Sequence, residues 1–450
     1  MSRATVYLLL AGFAELVLAT AGSRVVDRHD TYPVFLALYV AMGVCWLYAC
    51  HLVYESRDGS FGERRFVVAA MVISIGMRVP LLLTEPVLSD DIFRYVWDGR
   101  VANTGINPYL YSPDSSELSP LRDTLYPGIN NKDIPTIYPP LMQRFFAAVT
   151  TLSPSVLAMK SALLFVETAL IVLLFAMCSG IRAQPQRALV YAWCPLAVVE
   201  VSGSGHNDVL AVWLLMGALW ALHKGRSSVS MALLAGSGMA KLVGYGLAPL
   251  FVRASRLRGW LVMGAITLAL AWPYRDAGLL AFRGLREYGT RWRSNDSLFH
   301  VLTLFVDSEN AARVVVGVLL VAIVVTLVAL RVPPLRSCYL TLGAILLLTP
   351  TVHPWYLLFL LPMLCFFESP AFLFLMVSVV LSYHSAYLSE PGLPWQDVGW
   401  VKALEYGPFF ALLVHTTWRS VRSSGLRGFL AGDRLERPPR IDSHGAASAE

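Results

Sequence analysis

Charge is scarce in this chain. Only 15% of its 450 residues are charged, against 56% hydrophobic, where an ordinary soluble domain carries about 25% charge. With a mean hydropathy of +0.57, a water-borne fold is excluded. The alternating pattern of a membrane barrel is missing as well. The apolar residues instead come in runs of about 15 to 25, each near the length that crosses a bilayer as a helix. Backbone amides in hydrocarbon must be satisfied within the chain, so an all-α polytopic bundle is the remaining solution. Cysteine is sparse and unpatterned: Cys45, Cys50, Cys178, Cys194, Cys338 and Cys365 lie in or beside apolar segments without paired metal spacing. That argues against a disulfide framework or zinc site and makes them packing residues. There is no Gly-rich nucleotide loop, Cys-x-x-Cys pair, Ser nucleophile elbow or His-Glu-x-x-His motif, and nothing supports nucleotide chemistry on the cytoplasmic side. The net charge of +6 would suggest nucleic acid in a soluble protein. Here the basic residues sort by loop, as membrane topology demands, and no nucleic-acid partner is expected.

Loops carrying Arg57, Arg64 and Arg65, Arg182 and Arg187, Lys224 and Arg226, Arg253 to Arg258, and Arg331 and Arg336 read as cytoplasmic, joined by the basic tail from Arg419. About twelve spans follow, near 6–22, 32–54, 66–84, 155–181, 188–203, 207–224, 259–274, 311–331, 338–352, 355–367, 370–388 and 402–418. The first run resembles a cleavable signal peptide but is read as an uncleaved anchor, with the same topology either way. Residues 139–152 are too short for a crossing and read as interfacial or re-entrant. Residues 229–252 have basic loops at both ends and a Gly236-Ser237-Gly238 break, so they read as a hairpin returning to its own side and placing Lys241 in a protein interior or cavity. The expected organisation is an N-terminal hairpin over 1–65, a catalytic bundle over 66–418 with outer loops 85–138 and 275–310, and a disordered cytoplasmic tail over 419–450. Both termini are then cytoplasmic.

What charge there is concentrates in Ser89 to Arg100, directly after a span. Charge beside a bilayer is a functional-site signal. Ser89 as N-cap would put Asp90 and Asp91 in a first helical turn, where the dipole favours carboxylates at pH 7. Arg94 and Asp98 share the Asp91 face, so Arg94 can neutralise one acid while the other acts. The plainer reading is a capped interfacial helix. The loop beyond, with Asn107, Tyr109, Tyr111, Asn130, Asn131 and Tyr138, has amides and aromatics that suit a sugar or simply the interface. His206-Asn207-Asp208 opens a span after Ser202-Gly203-Ser204-Gly205, as a polar network or as a cap. His353-Pro354-Trp355-Tyr356 could grip phosphate or sugar, or be structural. Arg291 and Arg293, before Asn295-Asp296-Ser297, could bind phosphate by their guanidinium forks or contact lipid headgroups. All these clusters fall on the outer side of the expected topology.

Ser89-Asp90-Asp91, Gly105-Ile106-Asn107-Pro108-Tyr109, Ile137-Tyr138-Pro139-Pro140-Leu141, Gly205-His206-Asn207-Asp208, Asn295-Asp296-Ser297-Leu298-Phe299 and His353-Pro354-Trp355-Tyr356 together resemble the integral-membrane GT-C glycosyltransferases. They are most similar to bacterial mannosyltransferases of the glycosyltransferase family 87 kind, over about Ile73 to Phe367. The acidic pair is shared by many branches; the combination of six is much narrower. An additional N-terminal hairpin departs from the usual arrangement. The resemblance implies a GT-C bundle in the bacterial cytoplasmic membrane, a polyprenyl-phosphate-linked hexose donor, most simply mannose, a glycan or glycolipid acceptor, and inverting transfer at the outer face. Matching the acidic motif puts Asp90 and Asp91 at the catalytic position, one as base and the other orienting the acceptor or a divalent cation, with any metal ligands unknown. Arg94, Lys241, Arg291, Arg293 and His353 are the candidates for gripping phosphate. Asp98, Tyr138, His206, Asn207, Asp208, Asn295 and Asp296 complete the expected binding set. The competing class is a transporter or flippase, which would also need an intramembrane Lys241 and broken helices.

Overall fold

The computed structural model describes residues 2–26, 31–55, 63–86, 88–182, 184–388 and 397–431. Among the described residues the fold is helical throughout, and the only β feature is an isolated bridge between Ser294 and Thr351. Helices α1 (Arg3–Ser23), α2 (Tyr32–Glu55) and α3 (Arg64–Leu82) are followed by the short α4 (Asp91–Asn103) and α5 (Pro140–Leu152), then α6 (Val156–Arg182). An irregular stretch over 185–203 leads to α7 (Asp208–His223), α8 (Ser227–Ala240) and α9 (Leu257–Ala271). The remainder holds α10 (Arg283–Arg291), α11 (Leu298–Thr303), α12 (Glu309–Ala329), α13 (Pro334–Leu348), α14 (Pro370–Ser378) and α15 (Gly399–Ala431). α1, α2, α3, α6 and α12 are long and apolar enough to cross a membrane, and α7, α8 and α13 are shorter apolar helices.

Local signals set several of these ends. Ser2 Oγ accepts from Thr5 N at 3.1 Å and Ser308 Oγ accepts from Ala311 N at 3.1 Å, each satisfying a backbone donor that a helix start leaves open. Pro140 opens α5, where its missing N–H costs nothing. At thirteen residues, about 20 Å of helix, α5 is too short to span, and it packs along α4. α4 stops at Thr104, and Gly105 at φ +83° turns the chain away.

The N-terminal hairpin shares the main core. Trp46 Nε1 donates to the Val190 carbonyl at 3.1 Å, Tyr39 Oη to that of Met376 at 2.8 Å, and Gly12 lies so close to the Trp193 ring that a Cβ there would meet it at 2.6 Å. Between α3 and α6 lies a fully buried ion pair, Arg78 to Glu167 at 2.7 Å, with Arg78 also donating to the Ser74 and Ala192 carbonyls. Such a pair is tolerated in apolar surroundings because each charge is met by more than one hydrogen bond.

The structure corrects the sequence reading at three places. The Gly236-Ser237-Gly238 triplet is inside α8, and the break comes at Lys241, which is extended at φ −152°. Gly238 and Gly244 serve close approach: a Cβ on Gly244 would meet the Gly238 nitrogen at 2.6 Å, so the chain after Lys241 folds back against α8. The expected span 188–203 is a 3-10 turn, two helical turns broken at Pro195, and a π-helical segment, Val198–Gly203. The tail expected to be disordered from Arg419 continues α15 to Ala431, across a break at Gly425. Residues 432–450 and Arg57 lie outside the described residues.

Candidate active site

The site is assembled at the N-terminal ends of α4 and α7, where helix dipoles converge. The N-cap of α4 is Asp90, one residue later than expected, while Ser89 Oγ accepts from Asp91 N at 3.3 Å. Asn130, on the returning loop, bridges the acid pair, its Nδ2 donating to Asp90 Oδ1 at 2.6 Å and Asp91 Oδ1 at 2.9 Å. Asp90 is exposed, whereas a quarter of the Asp91 side chain remains open. The protein mass around Asp91, then the neighbouring Asp90 charge, push its carboxyl from the ordinary 3.8 up to about 6, against the Asn130 bond and the Lys241 charge. Asp90 is raised as well by the protein mass packed beside it, although its side chain reaches solvent, and the Asn130 amide opposes that shift. Desolvation outweighs the first-turn dipole effect, yet a carboxyl at about 6 is still mainly a carboxylate at pH 7.

The second wall comes from the 198–208 segment. The π-helical turn and Gly205, at φ +77°, reverse the chain so that His206 N donates to the Glu200 carbonyl at 2.9 Å. The His206 ring then lies between two carboxylates, Nδ1 at 3.9 Å from Asp91 Oδ2 and Nε2 at 3.4 Å from Glu200 Oε2. Trp355 stacks on His206 with ring centroids 3.8 Å apart, and His353 stacks on Trp355 at 4.4 Å, so the two expected histidines belong to one aromatic column. Gly205 has no substitute here: a Cβ would meet Ile92 Cδ1 at 2.3 Å, and left-handed φ is unfavourable for other residues. Gly205→Ala is expected to displace His206 from Asp91 and lower turnover at least tenfold, by an assay of sugar transfer, with a smaller fall in melting temperature.

The cation of the site is Lys241. Its Nζ is 2.5 Å from Asp208 Oδ1 and 5.4 Å from the centre of the Tyr356 ring, with the lysine 29% exposed and Asp208 almost wholly buried. Tyr356 in turn shares a hydrogen bond with Tyr288. Asn207 occupies the N-cap of α7 without making a side-chain cap bond, and its buried amide has no hydrogen-bond partner among the described residues. The expected capping role is therefore not realised.

Several expected binding residues lie elsewhere. Arg94 is buried, donates to Asp98 Oδ1 at 2.8 Å and to the Ile134 carbonyl at 2.9 Å, and Gln143 Nε2 donates to Asp98 Oδ2 at 3.2 Å. Arg94 and Asp98 thus clamp the outer loop onto α4, and neither pairs with Asp91. Tyr138 is in the aromatic cluster with Tyr95 and Phe146 behind that helix. Arg291 is an exposed partner of Glu287 at 2.9 Å and Asp133 at 3.5 Å. Arg293 and Lys402 enclose the buried Asp296 carboxylate at 2.9 and 2.5 Å, and Asn295 bonds Glu405 and Asp397. This second network ties the 275–310 loop to α15. It adjoins the aromatic column through the bridge of Ser294 with Thr351, and the same loop reaches the column again through the Tyr288–Tyr356 hydrogen bond. Asn130, Trp355 and Tyr356 were legible only as members of their motifs, without an individual role, and Glu200 and Lys402 were not singled out. Glu200 carried a sequence signal nonetheless, an acid inside an apolar run.

A helical membrane protein that gathers an acid pair, an ammonium and a histidine–tryptophan column into one cluster has the parts of a transferase acting at a lipid surface. The model of the alpha-(1->6)-mannopyranosyltransferase N-terminal domain, the MptA_B family, matches residues 7–258, and that of the MptB C-terminal domain matches residues 301–392. The chain belongs to this family of mannosyltransferases. It is an enzyme, which decides against the transporter reading. The first match begins in α1, so the N-terminal hairpin that departed from the broader resemblance is part of the family's own domain. No curated protein and no solved structure matches the chain.

Proposed function

We propose that the protein transfers mannose from a polyprenyl-phosphate donor to the 6-hydroxyl of a hexose in a glycan or glycolipid, at the outer face of the bacterial cytoplasmic membrane, with inversion. The linkage is that named for the family, and a single displacement giving an α product requires a β-linked donor. Asp91 is the base: it removes the proton from the acceptor hydroxyl as that oxygen attacks the anomeric carbon. The bond to the phosphate breaks with its electron pair leaving on the phosphate. Lys241 meets the charge that develops there. The group that leaves is the polyprenyl phosphate monoester, which is weakly basic, so no general acid is needed. His353 and Asn207 are placed to orient the sugar or phosphate, and Asp90, through Asn130, fixes the direction of Asp91. Arg94, Asp98, Tyr138, Asp208, Arg291, Arg293, Asn295 and Asp296 act on substrate only through the shape they give the cleft and the loops around it.

In this reading the apolar helices make up about twelve crossings with the 229–252 piece as a re-entrant hairpin, both termini are cytoplasmic, and loops 85–138 and 275–310 face outward. The observation that carries the mechanism is the partly open Asp91 carboxylate, raised to about 6 and within the field of the Lys241 ammonium. The sign of the pH dependence follows. A carboxyl raised to about 6 is a base above that pH and is protonated below it, so transfer should be flat near pH 7.5 and fall about tenfold per pH unit well below 6. Initial rates between pH 4.5 and 8 with saturating lipid donor test this. A rate that stays constant down to pH 4.5 removes Asp91 from the role of base.

A further inference from the structure

We propose that the paired hydroxyls of Tyr288 and Tyr356 bind the phosphate of the lipid-linked donor beside Lys241, with Tyr288 carried there by the outer loop. The proposal deepens the reading that a lipid-linked phosphate leaves beside Lys241, and it rests on that reading. Asp91, Lys241, Tyr288, His353 and Tyr356 are each partly open, whereas His206, Asn207 and Asp208 behind them are buried. The open side of the cluster therefore offers one acid, one ammonium, one imidazole and two phenols. Asp208 already takes up much of the Lys241 charge at 2.5 Å, so a phosphate held there needs further donors.

The donor count supplies them. A hydroxyl carries one hydrogen and an ammonium three. Tyr288 and Tyr356 bond each other, which uses one of their two hydrogens, and Lys241 spends one of its three on Asp208. One O–H and two N–H thus have no acceptor among the described residues. They belong to one chain of contacts, since the Lys241 ammonium lies 5.4 Å from the centre of the Tyr356 ring. Three spare donors and a positive charge on one open side match the oxygens of a phosphate. The outer loop is built to hold Tyr288 in place. Gly284 and Tyr288 are four residues apart and share a face of α10. That face turns inward: a Cβ on Gly284 would strike the Pro135 and Thr136 carbonyl oxygens, while Arg283, Arg286 and Arg291 are exposed. Trp292 stacks on Tyr288 with ring centroids 5.1 Å apart. The protein packed around Tyr288, and after it the Asp91 and Asp208 charges, push its phenol up against the bond from Tyr356. Tyr288 therefore keeps its proton at neutral pH and lies within the field of both acids. The arginines of α10 face away from the cluster, and its tyrosine faces in.

The test measures binding of radiolabelled polyprenyl phosphate, the leaving group itself, to purified wild type, Tyr288→Phe, Tyr356→Phe and the double variant. Polyprenol is the uncharged control, and melting temperature is followed alongside. Each single variant should weaken binding less than about threefold, because losing one hydroxyl frees the hydrogen of the other. The double variant should weaken it about tenfold or more, as loss of a hydrogen bond to a charged group does, with polyprenol binding changed less than about twofold. Phosphatidic acid or inorganic phosphate, added in equal amount, should displace little of the label. A double variant that binds polyprenyl phosphate as wild type does overturns the proposal. So does an equal loss of polyprenol and polyprenyl phosphate, which would make the hydroxyls structural. Full competition by phosphatidic acid or inorganic phosphate also overturns it, by assigning the donors to bulk headgroups or free phosphate. If the double variant loses binding as expected while wild type transfers nothing from polyprenyl-phosphate-mannose, the phosphate assignment stands and the donor assignment falls. Transfer with unchanged KM in the double variant overturns the tyrosine proposal and leaves the donor assignment in place.

Discussion

Replacing Asp91 by Asn should lower turnover by about 10²- to 10⁴-fold, the range that a positioned base supplies, with the protein still folded and still binding donor. Asparagine keeps the size of the side chain and can still meet the Asn130 amide, so the change removes the ability to accept a proton and little else. Asp90→Asn should be much milder. Asp90 is exposed and its visible partner is Asn130, so its loss loosens the aim of Asp91 without removing the base. The pair thus distinguishes two acids that the motif alone treats alike. Turnover under saturating donor, with melting temperature measured alongside, is the appropriate readout. Equal losses in both variants would mean that the acids act as a unit, and the assignment of the base to Asp91 would be wrong.

Replacing Lys241 by Met should reduce both stability and activity, for separable reasons. The ammonium is 2.5 Å from a nearly fully buried Asp208 carboxylate. Removing one member of such a pair leaves an uncompensated buried charge, at a cost of about 3–5 kcal/mol. The double variant Lys241→Met, Asp208→Asn takes away both charges and should recover most of that stability. It should not recover activity. The phosphate leaving group would still lack its cation, and losing one such charge-stabilising group typically lowers turnover by about 10²- to 10³-fold. A double variant that regained both stability and turnover would reduce Lys241 to a structural counter-ion.

Much of this architecture can be read from the chain because hydrocarbon imposes simple rules. The ends of α1, α2, α3, α6 and α12 fall within a few residues of the expected spans, since long apolar runs have no alternative to helix. The acid pair and His206-Asn207-Asp208 were legible as charge where charge is costly, and they do meet. The breaks were harder. Gly236 and Gly238 looked like helix breakers, yet in apolar packing their lack of a side chain admits Leu214 and Tyr245. Pro195 and the π turn divided an apparently continuous span, where long-range packing against α3 and the N-terminal helices decides the backbone. Partner choice was least legible. Arg94, three residues from Asp91, pairs instead with Asp98 and the distant Ile134 carbonyl, and Asp296 finds Lys402 over a hundred residues away. Sequence shows that such charges need partners, and only the folded chain shows which ones they have.

The central claim is that a carboxylate at position 91 transfers mannose from a lipid-linked phosphate. Its most direct test is to incubate purified protein, in detergent with membrane-lipid extract, with radiolabelled polyprenyl-phosphate-mannose, comparing wild type with Asp91→Asn. Label should enter an α-(1→6)-linked product with wild type and not with the variant. Label moving equally in both, or moving from a nucleotide sugar and never from the lipid donor, would contradict it.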